Sequence, residues 1–195
     1  MKHALFAAVA TSLVAACAST APTASTGSAA PAAPAAAPLA TRSTVVRAEV
    51  ALSPASASLV SGKLTLMAMG SGVHLTGEIG GLAPGSVHAI HIHEKGDCSA
   101  ADATSAGGHF NPAAQAHGRV GHGAHHGGDM DNITANGEGV ATVNVHAQGV
   151  VLGGGAGNDV IGRAVIVHAA ADDYVTQPTG NAGARVACGV VKVSP

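Results

Sequence analysis

Residues 61–79 read SGKLTLMAMGSGVHLTGEI, two alternating segments, Ser61–Met69 and Val73–Ile79, joined through Met69-Gly70-Ser71-Gly72. Successive side chains of a strand point to opposite faces, so alternation marks a half-buried strand. Glycines between two such runs mark a hairpin turn. The same rhythm continues outward in both directions. Thr44–Leu52, Val87–His93, Gly139–His146, Ala164–His168 and Arg185–Val193 are short segments whose Val, Ile and Thr content suits a pleated surface. Asn136-Gly137 is a second turn signal. No stretch shows helical periodicity. The pattern predicts an all-β domain, an eight-stranded Greek-key β-sandwich or flattened barrel of immunoglobulin-like type.

Two long segments interrupt the strands, residues 94–135 and 169–184. The first is far too long for an ordinary connection. It holds a cysteine, most of the histidines and an aspartate, so both segments are expected to be functional loops.

The N-terminal part has a different character. Lys2 and His3 precede an apolar run from Ala4 to Ala16. A membrane-spanning helix needs about 20 residues, so the run fits the apolar core of a signal peptide instead. Val14-Ala15-Ala16-Cys17 resembles the bacterial lipobox. Residues 1–16 are therefore expected to be a signal peptide and Cys17 a lipidated N-terminus; simple cleavage near Ala16 is the alternative. Residues 18–43 are almost wholly Ala, Ser, Thr, Pro and Gly, and Pro22, Pro31, Pro34 and Pro38 exclude a regular helix. Residues 17–43 thus read as a tether, and 44–195 as one domain of ordinary size.

The net charge of −2 and the lack of a basic stripe leave nucleic acid without an electrostatic footprint. Past the leader only Phe110 and Tyr174 are aromatic, so Val, Ile, Leu, Ala and Met must build the core. Of three cysteines, Cys98 and Cys188 remain as a pair if Cys17 carries lipid. Outside the cytoplasm such a pair is normally a disulfide, with two free thiols as the alternative.

The chemistry concentrates in the histidines. In a strand His91 and His93 share one face, with His88, Ile90 and Ile92 on the core side. His168 ends another strand. With His109, His117, His126 and Asp129 they make six histidines and an aspartate, enough for two adjoining metal sites. Imidazole suits copper and zinc, and three imidazoles with a carboxylate suit zinc.

His91-Ile92-His93-Glu94, Gly107-Gly108-His109-Phe110-Asn111-Pro112, His117, His126-Gly127-Gly128-Asp129, Ile161-Gly162-Arg163, His168, Asp172-Asp173, Gly180-Asn181-Ala182-Gly183-Ala184-Arg185 and Ala187-Cys188-Gly189 strongly resemble a bacterial periplasmic copper/zinc superoxide dismutase. The resemblance spans about Thr44 to Val193. It implies one copper and one zinc ion per subunit, with His91, His93, His109 and His168 holding copper. It implies that His109, His117, His126 and Asp129 hold zinc, His109 bridging the two metals. Asp172 matches the carboxylate linking a copper-ligand imidazole to a zinc-ligand imidazole, and Arg185 the arginine that orients superoxide. With the bridging His109, Arg185 is the expected catalytic group. Cys98 and Cys188 match the family's intrasubunit disulfide.

The implied reaction is dismutation of superoxide to dioxygen and hydrogen peroxide by a copper redox cycle with a structural zinc. The implied setting is the periplasm, with a lipid anchor to the outer membrane as the one membrane attachment, as a monomer or homodimer. A rival reading is a non-catalytic module that buffers or delivers copper or zinc; such a module has no need of Arg185. Two features depart from the family. Between Asp173 and Arg185 there is no Lys or Glu, charges that elsewhere steer the substrate, and Ala89 replaces a usual glycine. His74, His88, His122, His125 and His146 fall outside the implied sites, and His125 is a rival to His126 as the zinc ligand.

Overall fold

A computed structural model describes residues 37–195, so the leader, Cys17 and the first part of the tether lie outside the described residues. Ten strands follow in order: β1 (Arg47–Pro54), β2 (Ser61–Met69), β3 (Gly72–Gly80), β4 (Val87–His88), β5 (Ile90–His93), β6 (Ile133–Thr134), β7 (Ala141–Gln148), β8 (Ala164–His168), β9 (Arg185–Val190) and β10 (Lys192–Val193). The main sheet has eight strands in the order β5-β8-β9-β1-β2-β3-β7, with β10 added beside β1; β4 and β6 form a separate pair. Every pairing between these strands is antiparallel. This is the all-β Greek-key architecture that the alternation predicts, and the one helical element among the described residues is a 3-10 turn at Thr104–Ala106.

The opening hairpin forms as read, with Met69 opposite Gly72 and the register continuing to Ser61 opposite Gly80. Leu64, Leu66, Leu75 and Ile79 from its inner face are buried, whereas Lys63, Thr76 and Glu78 are exposed. Val50, Ile90, Ile92, Val165 and Val167 meet them from the other strands, and Phe110, Met130 and Leu152 fill in from loops. A core with one aromatic ring is therefore closed by branched aliphatic side chains that interdigitate on pleated faces.

Three features differ from the sequence reading. Val87–His93 is two strands, because at Ala89 the N–H bonds Ala170 and the carbonyl accepts from His168. β4 then pairs with β6, which lies inside the first long loop, while β5 pairs with β8. Arg185–Val193 likewise breaks at Val191, whose N–H bonds Arg163. The third is at the N-terminus, where residues 37–43 lie on the β7–β8 connection. Gly157 N–H donates to Pro38 O, Asn158 exchanges hydrogen bonds with the Ala40 backbone, and Leu152 N–H donates to Ser43 Oγ. Composition could not reveal this, because the attachment runs through hydrogen bonds of backbone and small polar groups rather than apolar side chains.

Cys98 and Cys188 are disulfide-bonded across 90 residues with their Cα atoms 5.8 Å apart, so the alternative of two free thiols falls away. The bond fixes the first long loop to β9.

Candidate metal centre

Strand β5 carries the first two histidines. All four of its residues are buried, so His91 and His93 face not solvent but a layer made by the two long loops. The first loop returns to β5 through backbone bonds. Phe110 N–H donates to Ile92 O, Ile92 N–H to Gly128 O, and Gly128 N–H to Phe110 O. This three-way exchange sets His109 beside His93 and Asp129 beside His109, each next to one of the bonded residues.

Two four-residue groups result, His91 with His93, His109 and His168, and His109 with His117, His126 and Asp129; all are buried. Within each group one ligand atom per residue lies within 4.8 Å of the others. The two groups share His109.

The donor atoms fit metal ions. His93 Nδ1–H donates to Gly107 O and His168 Nδ1–H to Gly183 O, which leaves Nε2 of each as the basic nitrogen. Those two Nε2 atoms face each other at 3.4 Å. Two lone pairs at that distance repel unless a cation stands between them. His91 Nδ1 and His109 Nε2 are likewise buried without a hydrogen-bond partner. In the second group Nδ1 of His109, His117 and His126 converge on the Asp129 carboxylate at 2.8, 3.1 and 3.3 Å. Nδ1 of His117 and of His126 is not aligned for a hydrogen bond. Three imidazoles around one carboxylate is the donor set of a closed zinc site, and four imidazoles suit copper.

Electrostatics follow from burial and neighbours. Burial lowers the His93 pKa to about 2 and that of His168 to about 3, helped by nearby imidazoles. Burial also lowers His109 to about 4. These rings are therefore neutral bases, the form that binds metal. His117 goes the other way. Burial opposes its charge, but Asp129 and Asp172 raise it to about 9. Burial works against both carboxylates too, yet Asp129, bonded by the His109 ring and the His126 N–H, and Asp172, bonded by His117 and His91, are held below the ordinary range.

Asp172 joins the groups. Its Oδ2 accepts from His91 Nε2 at 2.8 Å and its Oδ1 from His117 Nε2 at 3.0 Å. Each ring thus turns its Nδ1 toward its own group. Arg185, at the start of β9, donates to Ala103 O at 2.7 Å and Gly107 O at 2.6 Å. Residues 60–191 match the family model of copper/zinc superoxide dismutases. The chain belongs to the copper/zinc superoxide dismutase family.

Relatives in this family include the Cu-Zn superoxide dismutase of Caulobacter vibrioides, 45% identical over 137 residues, 68% of this chain and 78% of the relative. Another is Cu-Zn superoxide dismutase 1 of Aquifex aeolicus, 42% identical over 67% of this chain and 79% of the relative. Among solved structures, a double mutant of a SOD-like protein from Bacillus subtilis is 36% identical with a TM-score of 0.67, over 74% of this chain and 96% of that one.

The fold brings together the residues that the dismutase motifs single out: His91, His93, His109, His117, His126, His168, Asp129, Asp172 and Arg185. His125 stays outside, its Nδ1–H donating to the His126 carbonyl. His88 bonds the His168 carbonyl and Ser86, a structural role. Other contributors escape sequence reading. Gln177 clamps the His117 backbone, with Oε1 accepting from its N–H and Nε2 donating to its carbonyl. Asn132 does the same for Asp172. Its setting in Asn132-Ile133-Thr134 looks like a chance glycosylation pattern, and nothing local signals a partner 40 residues away.

Proposed function

We propose that this chain dismutates superoxide to dioxygen and hydrogen peroxide in the cell envelope, with copper at His91, His93, His109 and His168 and zinc at His109, His117, His126 and Asp129. The observation that carries the reading is the pair of buried donor groups sharing His109, with Arg185 bonded to the carbonyl that also holds His93. Copper, when bound, supplies the one-electron couple that takes an electron from one superoxide and gives it to the next; zinc, with a closed donor set, is structural.

The chain's own residues do the rest. Arg185 keeps its charge at any working pH and offers a fork of donors to a dioxygen anion. Both of its anchoring bonds go to backbone carbonyls rather than to a carboxylate, and the exposed Asp102 is the acidic group that bears on its charge. His109 Nε2, buried and without a partner, is the atom placed to hold a proton and release it to the peroxide product. The far nitrogen of that ring, Nδ1, faces Asp129 and would be held with it by zinc, so the ring returns to one position. Asp172 fixes His91 and His117 in the tautomers that turn Nδ1 toward each donor group. A non-catalytic carrier of copper or zinc would have no use for Arg185.

Location rests on the leader. Val14-Ala15-Ala16-Cys17 supports lipidation of Cys17 and anchoring at the outer membrane, with residues 18–36 as a spacer. Incorporation of a labelled fatty acid that disappears in Cys17→Ser tests the anchor. For activity, we would follow superoxide by pulse radiolysis with one copper and one zinc loaded per chain. Copper-dependent decay near the diffusion limit is the expected result. Full metal occupancy without turnover would leave metal buffering as the function.

A further inference from the structure

The outer face of the sheet carries four side chains that the metal centre does not use. Met67 lies opposite His74, His74 opposite His146, and Met69 opposite Gly72. Residues in register, and residues two apart on one strand, share a face. Met67, Met69, His74 and His146 therefore stand together. Their neighbours Leu66, Leu75 and Val145 point the other way and are buried. Glycine at 72 makes the room, since the His146 ring lies over it with Nε2 2.8 Å from where a Cβ would sit.

The imidazoles are prepared as bases. His74 Nε2–H donates to Asn144 Oδ1 at 2.7 Å. That bond leaves the lone pair on Nδ1, the arrangement seen when a ligating histidine is oriented by a second acceptor. Nδ1 of His74 and of His146 are both enclosed and have no hydrogen-bond partner. An unpaired enclosed nitrogen costs stability, so two on neighbouring rings need an explanation. The ring centres are 6.1 Å apart. One ion held about 2 Å from a nitrogen of each ring fits that separation at a wide nitrogen–metal–nitrogen angle. Burial and then His74 lower the His146 pKa, which keeps that ring neutral. Met67 and Met69 are about half exposed, at 48% and 51%, so their thioethers are open to the same face. Thioether with imidazole is a soft donor set that selects Cu(I) over zinc.

We propose that His74 and His146, with Met67 and Met69, form a second copper site, selective for Cu(I), on the outer face of β2, β3 and β7. It is independent of the dismutase reading and places copper on a solvent-facing surface from which it can be captured or released.

The test uses the mature chain with the metal centre already filled by one copper and one zinc. Cu(I) is then titrated without oxygen, in ascorbate, against a chromophoric Cu(I) chelator. One further equivalent is expected, and copper X-ray absorption should show sulfur as well as nitrogen neighbours. The metal centre offers no sulfur donor, so a sulfur signal that depends on Met67 and Met69 reports the new site. His74→Gln/His146→Gln should lose the added equivalent while keeping both metals and the dismutase rate, which controls for folding. Met67→Leu/Met69→Leu should lose the sulfur signal and bind the added copper at least tenfold more weakly. No added equivalent, an all-nitrogen shell, or an added equivalent that survives His74→Gln/His146→Gln but not His122→Gln/His125→Gln would each overturn the proposal.

Discussion

Arg185 and His93 are bonded to the same oxygen. The Gly107 carbonyl accepts from Arg185 Nη2 at 2.6 Å and from His93 Nδ1 at 2.9 Å. The group proposed to meet the substrate and a group proposed to hold copper thus share one rigid reference point. Gly107 ends the 3-10 turn at Thr104–Ala106, and the Cys98–Cys188 disulfide anchors the same loop.

Removing Arg185 tests the separation of these roles. In Arg185→Ala the Gly107 carbonyl keeps its bond from His93, so metal content should not change. The superoxide rate should fall about tenfold or more, since the loop from Ala169 to Ala184 has no Lys or other Arg to attract the anion. Arg185→Lys should fall in between, because a point charge replaces a fork of donors. Pulse radiolysis at two ionic strengths, with copper and zinc analysis, is the measurement. An unchanged rate would remove Arg185 from the mechanism.

Asp172→Ala should weaken zinc more than it weakens the fold. His117 and His91 would both lose the acceptor that sets their tautomer. Loss of such an orienting carboxylate costs about 10–100-fold in metal affinity. Competition with a chromophoric zinc chelator reads the change directly. Asp172→Asn keeps one acceptor oxygen and should lose less.

Most of the strands could be read from the chain for a local reason, and the metal-ligating histidines and the disulfide partners from motifs that resemble a known family, but β6 inside the first long loop carries no such signal. Alternation exposes a strand because the pleat has a period of two, as in Ser61–Met69. The ligand set is legible because His91-Ile92-His93 and His126-Gly127-Gly128-Asp129 resemble the family's motifs; spacing alone leaves His125 as a rival to His126. What stayed hidden acts through the backbone or over long separations. The break at Ala89 depends on Ala170 and His168, and the clamp on His117 on Gln177, 60 residues away. His74 and His146 are 72 positions apart, and only the β3–β7 register makes them neighbours.

Gly180 is the tightest packing point of the centre. A Cβ there would lie 1.8 Å from Asp172 Oδ1 and 2.7 Å from His117 Nε2, and the residue has a φ of +66°. Gly180→Ala must therefore push Asp172 aside as well as strain the backbone. The expected result is weaker zinc binding resembling Asp172→Ala, measured by the same competition. Zinc affinity equal to wild type would show that the loop from Ala169 to Ala184 yields without moving Asp172.

Breaking the disulfide should cost stability and guidance together. Closing a 90-residue loop is worth about 4–5 kcal/mol by the chain-entropy model. The loop it holds also supplies the Ala103 and Gly107 carbonyls that seat Arg185. Cys98→Ser/Cys188→Ser should unfold at a lower denaturant concentration and, while still folded and metal-loaded, react more slowly with superoxide. A stability loss with an unchanged rate would confine the bond to holding the fold.

The metal-free protein should be most stable near pH 6.5. Burial first, and then neighbouring imidazoles, hold His93, His168 and His109 at about 2, 3 and 4, against an ordinary 6.5. As pH falls below 6.5 the unfolded chain takes up protons that the folded chain refuses, so stability drops with acid through that range. Asp129 and Asp172, held below the ordinary carboxylate value, extend the loss below about pH 4. His117 acts in the opposite sense. Despite burial, Asp129 and Asp172 raise it to about 9, so its contribution is complete below 6.5 and is lost as pH rises toward 9. Between pH 4 and 9 three histidines act on the acid side and one on the alkaline side, so the acid limb should be the steeper. Denaturant midpoints from pH 4 to 9, with metals chelated and the disulfide intact, would trace the curve. A midpoint that keeps rising from pH 6.5 to 9 would show that the proton on His117 is not what holds the two carboxylates together without metal.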